Sequence, residues 1–585
     1  MRIFSSVLTA FAALLLAGCN GTIHDTRAAQ VNNNDSPQVA ELRTQEVLPV
    51  SGTAGQFLAA HYAVSESDFS RAADILYQLW QNDRENQIIG YGVVNNALVS
   101  GRHGMAIEVS SAMRELGIVP SVVGERNMLA IMSAIVDIKA ERYTAAVREM
   151  QANTITSGPE QYIRPLVLAW AHLGKGEGLK AREVLRLQPE GNPIRNVLQL
   201  NLVYMAMYQQ EYSLAVQELK ELMKRLEQVP FGLQELYAKL LFVSDGEIAA
   251  QSYLRTIHGI PRRDTLMKEL RQTNAPSLDE LRLARISDGL AEGINEMSKL
   301  LRNEVPYMGL LYANTSLYLN PSNHTALLIV GKSLFDLERY EESIFQLGKI
   351  SDPSALSYSE AVTLAVDAER EMQQYQAAID RLERAIKLLP DNVDFLSVLG
   401  QVYQQQEEYD KAIALYDQVI AGRLAQYPEW SDYYFRGIAY ERSKRWSLAE
   451  KDLQYALGLE PNNAYVLNYL GYSWIDQRLN IPEALGLLER AVALEPNNAF
   501  IIDSYGWALY RVKRFAEAAT SLERSLLFAP GESIINDHLG DVYWHLGRKR
   551  EAKYQWERAL WLEPDEPKQK RELEEKLAGT RIPKP

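Results

Sequence analysis

Cysteine is almost absent from this chain of 585 residues, which contains a single one, Cys19. No disulfide can therefore form within the chain. Positive charge is also in deficit, because 61 lysines and arginines stand against 75 aspartates and glutamates, giving a formal net charge of -14. Such a chain is poorly suited to the phosphate backbone of a nucleic acid, so we expect no nucleic-acid partner.

Motifs of catalysis are missing as well. The sequence has no H-E-x-x-H and no G-x-S-x-G, and its eight histidines are scattered. His538 and His545 are seven residues apart, so they share one face of a predicted helix, with Asp537 and Asp541 close by. Two histidines without a clear third ligand make a poor metal site. We expect no enzymatic activity, no metal and no cofactor, and an enzyme built on this pair remains an alternative.

One apparent nucleotide motif needs a separate explanation. The stretch ALLIVGKSL, residues 326–334, contains A-x-x-x-x-G-K-S. A phosphate loop places its glycine-rich turn directly after a strand, so that backbone N–H groups point at the phosphate. Gly331 instead occupies the mid-helix glycine position of a repeat described below, where its N–H belongs to the helix. We therefore predict no nucleotide binding.

Residues 1–18 have the layout of an export signal. Arg2 is followed by an apolar run from Val7 to Leu16 and then by small residues. This run is too short to cross a bilayer as a helix, whereas it fits a signal peptide. After it, residues 19–52 are polar and irregular, and we predict a flexible tether there.

The end of this signal carries a further pattern, because Leu16-Ala17-Gly18-Cys19 resembles the lipobox of bacterial lipoproteins. The resemblance implies cleavage before Cys19 and acylation of its thiol and its new amine, which would hold the protein on a membrane. In lipoproteins of this kind an aspartate after the cysteine tends to retain the protein at the inner membrane. Asn20 therefore implies the outer membrane, with the protein facing the periplasm.

A period of about 34 residues organises the rest of the chain. Each unit contains two helical stretches joined by a short polar turn, and units close with proline at Pro390, Pro461, Pro496, Pro530 and Pro564. Asparagine follows where the next helix needs an N-cap, at Asn392, Asn463 and Asn498. A fixed period of this size is typical of stacked helical repeats.

Small residues recur inside these units. Glycine lies in the middle of the first helix at Gly331, Gly400, Gly437, Gly471, Gly506 and Gly540. A mid-helix glycine costs about 1 kcal/mol relative to alanine, so we expect a close approach of two helices there. Alanine recurs on the second helix at Ala378, Ala412, Ala449, Ala484, Ala518 and Ala552, and we expect these small residues to meet the glycines.

This W/L-x-x-L-G-x-x-Y…A-x-x-x-F…A…P arrangement resembles the tetratricopeptide repeat family. The resemblance implies an all-α fold, a right-handed superhelical solenoid of helix pairs. We predict degenerate repeats over 53–320, where EYSLAVQEL, RYTAAVREM and DFSRAADIL keep an aromatic-x-x-Ala core, and regular repeats over 321–564. Residues 565–585 are predicted to be a capping helix and tail. We expect eleven to fourteen helix pairs, with no phase assigned between about 230 and 320.

The family's phasing also predicts a binding surface, because the first helix of each unit lines the concave face. In the last units the inward positions are aromatic and acidic: Tyr434, Tyr465, Asn468, Tyr472, Asp503, Trp507, Tyr510, Asp537, Asp541 and Trp544. Exposed rings of this kind become interface hot spots. Alternatively, several of them only pack between neighbouring repeats. Whether the partner is an extended peptide or a folded surface stays open.

The order of lipobox, tether and long solenoid resembles the lipoprotein adaptors of periplasmic carboxyl-terminal processing proteases, especially the long pseudomonad type. The resemblance implies binding to such a protease and delivery of substrates such as peptidoglycan hydrolases. The alternative is a structural lipoprotein of a secretion, pilus or exopolysaccharide export machine. The structural alternative predicts a membrane-embedded complex as the partner. The adaptor hypothesis predicts protein partners and contact with the membrane only through the lipid.

Overall fold

A computed structural model describes residues 52–153, 155, 160–187, 193–257, 281–302, 305–353, 357–423, 428–564 and 567–585. The predicted signal peptide, Cys19 and nearly all of the predicted tether lie outside the described residues. The chain separates into two units, Met1–Gln56 and Phe57–Pro585, and all the packing described below lies within the second.

The described part of the chain contains 29 helices and no strand, which confirms the all-α prediction. The helices are α1 Thr53–Ser65, α2 Phe69–Asn82, α3 Gln87–Val99, α4 His103–Glu115, α5 Val123–Lys139, α6 Tyr143–Ala152, α7 Glu160–Gly174, α8 Gly178–Arg186, α9 Arg195–Tyr208, α10 Tyr212–Met223, α11 Phe231–Asp245, α12 Glu247–Thr256, α13 Ile286–Arg302, α14 Pro306–Leu319, α15 His324–Asp336, α16 Tyr340–Leu347, α17 Tyr358–Glu371, α18 Tyr375–Leu388, α19 Val393–Gln405, α20 Tyr409–Gly422, α21 Trp430–Arg442, α22 Trp446–Leu459, α23 Ala464–Asp476, α24 Ile481–Leu494, α25 Ala499–Arg511, α26 Phe515–Phe528, α27 Ser533–His545, α28 Lys549–Trp561 and α29 Pro567–Leu577. None of them combines the length and the apolar character that a bilayer crossing needs.

The fourth residue of every second helix is small and buried. It is alanine, with no exposed surface, at Ala72, Ala106, Ala146, Ala181, Ala215, Ala250, Ala378, Ala412, Ala449, Ala484, Ala518 and Ala552. Serine replaces it at Ser343, and Gly309 holds the place in α14. This common register includes α12 and α14, which lie in the region where the sequence pattern left the phase open. Taken in sequence order, the described helices form fourteen pairs followed by the single helix α29.

The mid-helix glycines are covered by large side chains rather than by alanine side chains. Tyr416 lies over Gly400, Leu453 over Gly437, Leu488 over Gly471, Leu522 over Gly506 and Trp556 over Gly540. The alanine contributes its backbone, since a Cβ on Gly471 would come within 2.9 Å of the Ala484 carbonyl. The prediction of close approach is therefore correct: the glycine meets the backbone of the alanine, and the large side chains fill the space around them.

Asparagine caps begin several first helices, as predicted. The Asn463 side chain accepts hydrogen bonds from the N–H groups of Tyr465 and Val466, and the Asn498 side chain accepts them from Phe500 and Ile501. Asn392 caps α19 in the same way. These bonds satisfy backbone donors that the first turn of a helix leaves free, and they fix where each first helix starts.

The hairpin α13–α14 lies across the first helices of earlier pairs. Helix α13 packs on α7 and α9, and α14 packs on α3. The Asn314 side chain donates a hydrogen bond of 2.8 Å to the carbonyl of Val99, 215 residues away. Most residues of α13 are buried, so this helix forms part of the core of the N-terminal pairs.

Helix α29 covers the last pair. Leu573 is fully buried in the core formed by α25 to α28, and Lys576 reaches the two carboxylates Asp537 and Asp541 at 2.6 and 2.7 Å. An apolar residue and a cation thus join this terminal helix to the first helix of the pair before it.

Candidate functional site

Counting back from the buried alanine of each second helix identifies equivalent positions on the first helices. The neighbouring first helices together form one face of the protein, here called the first-helix face. Phe500 and Ile534 each lie eighteen residues before that alanine, and Tyr465 lies nineteen before it. The unit of Tyr465, α23–α24, has one extra residue. It lies in the turn between the two helices, where Arg478 and Asn480 both have positive φ.

These three equivalent residues are large, apolar and exposed. Tyr465 is 53% exposed, Phe500 is 55% exposed and Ile534 is 38% exposed. Each is the second residue of its helix and is followed by a buried residue. Because α23, α25 and α27 are successive neighbours, the three side chains form a row, here called the exposed stripe.

Four rings lie next to the stripe and are half-buried: Tyr434, Tyr469, Tyr472 and Trp507, here called the aromatic wall. The rings of Tyr434 and Tyr469 pack edge to face at 5.8 Å, and the Tyr469 hydroxyl donates to Glu441 at 3.0 Å. Burial raises the pKa of Tyr434 to about 12, and the neighbouring Tyr465 hydroxyl contributes to this rise. Its hydroxyl therefore stays neutral and can donate a hydrogen bond.

His538 is engaged with its neighbours in this face. Its ring stacks on Trp507 at 4.0 Å, and its Nδ1 lies 2.9 Å from a carboxylate oxygen of Asp503. Burial opposes a charge on this ring, but Asp503, together with Asp537 and Asp541, outweighs that effect and raises the pKa of His538. His545 stacks on Phe515 instead, and its Nε2 lies 3.1 Å from the Pro583 carbonyl.

No group of three histidine, cysteine, aspartate or glutamate side chains in the described part of the chain is arranged to hold a metal ion. The Walker-like octet lies within helix α15, and Gly331 is buried against Leu347. The Lys332 ammonium pairs with Glu360. These residues therefore lack the strand-to-helix turn of a phosphate loop.

The predicted acidic residues are neutralised inside the protein. Asp503, Asp537 and Asp541 are all buried. Asp503 faces His538, while the other two hold Lys576. Burial alone would lower the pKa of Lys576, but Asp541 and Asp537 raise it, so the ammonium stays charged between them. The face is consequently aromatic without being a free acidic surface.

The remaining predicted residues have mixed positions. Tyr510 is fully buried, and Trp544 packs on Trp556 at 5.5 Å, so both contribute to the core between repeats. Asn468 lies on the face with its Oδ1 buried and without a hydrogen-bond partner among the described residues. Sequence reasoning found Tyr465 but missed Phe500 and Ile534, although the register of the buried alanines marks all three.

On α5 and α7 the equivalent positions are covered by the chain itself. Met128 on α5 and Ile163 on α7 hold the register position of the stripe and are only 6% and 1% exposed. They line a small apolar cavity together with Leu311 and Tyr312 of α14. The first-helix face is therefore occupied at α5 and α7, whereas it is uncovered at α23, α25 and α27. Ile88, at the equivalent position of α3, is also uncovered, with 64% of its surface exposed.

Known proteins share these repeats. Residues 363–428 match the tetratricopeptide repeat family. A TPR repeat-containing protein of Pseudomonas aeruginosa is 32% identical over 143 residues, which are 24% of this chain and 24% of that protein. The match thus spans about a quarter of the length of the curated relative. Residues 363–428 thus match the repeat family that the sequence pattern predicts.

Solved structures are similar over various lengths. The APC/C hetero-tetramer Cut9–Hcn1 has a chain with a TM-score of 0.39 and 14% identity, covering 90% of this chain and 96% of that one. YrrB, described as a TPR protein with an unusual peptide-binding site, has a TM-score of 0.25 and 20% identity, covering 32% and 93%. MamA of MSR-1 has a TM-score of 0.25 and 22% identity, covering 29% and 95%.

Proposed function

We propose that this tetratricopeptide-repeat protein is a non-catalytic scaffold that binds other proteins on the exposed stripe and the aromatic wall. The observation that carries the proposal is the contrast between equivalent positions. Met128 and Ile163 lie under the chain's own α14, whereas Tyr465 and Phe500 remain more than half exposed. Aligned large apolar side chains on the surface mark interaction sites, and aromatic rings dominate the energy of protein interfaces.

We further propose a particular setting for this scaffold: lipid-anchored at the outer membrane, it binds a periplasmic carboxyl-terminal processing protease and presents substrates such as peptidoglycan hydrolases. The lipobox at Cys19, the polar tether and the long repeat array support this assignment through their resemblance to the known adaptors. Such a scaffold raises the effective concentration of substrate at the protease, and it can also stabilise the active state of the protease.

Affinity capture of the full-length lipoprotein from detergent-solubilised envelopes, with mass spectrometry of the bound proteins, tests this setting. A Cys19→Ala variant shows which partners need the anchor. We expect a processing protease to dominate, and the purified components to cleave substrate faster together than the protease alone. Recovery of secretion or export subunits without a protease would favour the structural role instead.

The binding surface itself is tested by truncating the stripe. We expect a Tyr465→Ala, Phe500→Ala double variant to lose about tenfold or more in affinity for the captured partner, the scale of an interface hot spot. Leu527→Ala on α26 is the matched control, because Leu527 is 79% exposed but lies on a second helix. Equal loss in the control would remove the stripe from the proposal.

A further inference from the structure

We infer that the exposed stripe and the aromatic wall bind an amphipathic α-helix that presents small residues four positions apart. This inference rests on the proposed function, because it names the chemistry of the partner for the same surface. The evidence comes from inside the molecule, where one part of the first-helix face already has an occupant.

That occupant is helix α13. Gly289 lies against the ring of Trp170 on α7, and Gly293 lies against the side chain of Asn201 on α9, each so closely that a Cβ would overlap its neighbour. The Trp170 indole N–H donates to the Asn201 side-chain oxygen at 2.9 Å. Residues four positions apart lie on the same side of a helix. The two glycines therefore let α13 approach two successive first helices at once.

The uncovered part of the face places a ring at the same position. Trp170 and Tyr204 lie eleven residues before the buried alanine of their pairs, and Trp507 lies eleven residues before Ala518. Tyr472 holds this position in the unit with the extra residue. In the N-terminal pairs the ring of Trp170 is fully buried by α13, whereas Trp507 is only half-buried. The same kind of surface is thus available without its helix.

The chemistry of the surface favours a helix over an extended peptide. A helix satisfies its own backbone hydrogen bonds, whereas an extended chain brings unpaired N–H and C=O groups that need partners when buried. The carboxylates of Asp503, Asp537 and Asp541 are already engaged by His538 and Lys576. What remains for a partner is mainly aromatic and apolar surface, which side chains on one face of a helix can cover.

One polar group adds a specific feature. The Oδ1 of Asn468 is buried and has no hydrogen-bond partner among the described residues. A donor on the incoming helix would supply the bond that Asn468 lacks, so a serine, asparagine or tryptophan beside the small residues fits this site.

The chain supplies a natural probe, the α13 sequence ISDGLAEGINEMSKLLR. We would label this peptide with fluorescein and titrate it with full-length protein, following fluorescence anisotropy. Two matched peptides serve as controls: one carries Gly289→Leu and Gly293→Leu, and the other carries Ile294→Pro, which interrupts the helix. The protein variants are Phe500→Ala and, as control, Leu527→Ala. Both replace residues more than half exposed, so folding is preserved.

We expect saturable binding of the unmodified peptide, at least tenfold weaker binding of both control peptides, and at least tenfold weaker binding to Phe500→Ala but not to Leu527→Ala. Equal binding of the proline peptide, or binding indifferent to Phe500→Ala, would overturn the inference. So would no binding at all. If the captured protein partner still depends on Tyr465 and Phe500 in that case, the proposed function stands and only the helical partner is rejected.

Discussion

At the level of single residues, the surroundings of a glycine determine whether its replacement by alanine stabilises or destabilises the protein. Gly331 faces Leu347, so close that a Cβ would overlap its side chain, whereas Gly458 in α22 faces open space. We expect Gly331→Ala to destabilise the protein by about 1–3 kcal/mol through overpacking. Gly458→Ala should stabilise it by up to about 1 kcal/mol through helix propensity. Urea denaturation followed by circular dichroism measures both, and a stabilising Gly331→Ala would contradict the packing.

Two carboxyl groups, one buried and one partly buried, make stability depend on pH. Burial raises the pKa of Glu160 to about 7, and burial together with Glu296 raises that of Glu292 to about 7. The folded state therefore holds these protons more strongly than the unfolded state. The contribution of these two groups to the free energy of unfolding should be greatest below about pH 4.5. It should fall as the pH rises towards 7.

Denaturation midpoints between pH 5 and 8 check this expectation. The loss across the window is on the order of 3 kcal/mol for each carboxyl group. The variants Glu160→Gln and Glu292→Gln should flatten the dependence, because an amide does not titrate. Glu115→Gln, which replaces an exposed glutamate, is the control and should leave the curve unchanged. A curve that keeps its slope in both buried variants would show that other groups cause it.

Single residues were predicted well where the cause is local. The asparagine caps and the mid-helix glycines follow from the start of a helix and from its contact with the next one. The pairing of Asp537 with Lys576 could not be predicted, because the partner lies 39 residues away on a helix whose docking depends on the whole last pair. The acidic face expected from sequence is for this reason an internal ion-pair network.

At the level of helices, the N-caps determine where the stripe begins. The Asn498 side chain accepts from the N–H groups of Phe500 and Ile501 at 3.1 and 3.2 Å. We expect Asn498→Ala to destabilise α25 by about 1 kcal/mol, while Asn498→Asp stays near neutral because aspartate caps equally well. Hydrogen exchange of the α25 amides resolves this locally. Equal exchange in the alanine and aspartate variants would contradict the role of the cap.

Helix pairs could be predicted from the repeat period, but the pair α13–α14 could not be phased. The fourth residue of α14 is Gly309 rather than alanine, so the usual mark is missing. Helix α13 is buried on most of its surface and contacts helices from several pairs. The repeat period describes contacts between neighbouring pairs, so it does not phase a helix that contacts distant ones.

At the level of the whole molecule, α13–α14 connects distant pairs. The substitution Gly293→Ala, which adds one methyl group, tests this connection. A Cβ on Gly293 would overlap the Asn201 side chain, whereas one on Gly232 in α11 meets nothing. We expect Gly293→Ala to increase hydrogen exchange across α7, α9 and α13 and leave α23 to α28 protected, since distant repeats are stabilised mainly by their neighbours. Gly232→Ala should change neither region. Increased exchange throughout the chain would indicate one cooperative unit instead.

The occupied part of the first-helix face could not be predicted from sequence because its covering depends on contacts such as that of Asn314 with Val99, far apart in the chain. Repeat periodicity describes how neighbouring pairs stack, whereas it says nothing about a later hairpin that returns to earlier pairs. The return of α13–α14 leaves the stripe as an uncovered part of the first-helix face.

Photocrosslinking in living cells tests the central claim most directly. A photoreactive phenylalanine analogue replaces Phe500 in one strain and Leu527 in another, and the crosslinked products are identified by mass spectrometry. The scaffold proposal predicts one dominant protein adduct from position 500 and little or none from position 527. Adducts from position 527 with none from position 500 would contradict it, because the partner would then bind the second helices.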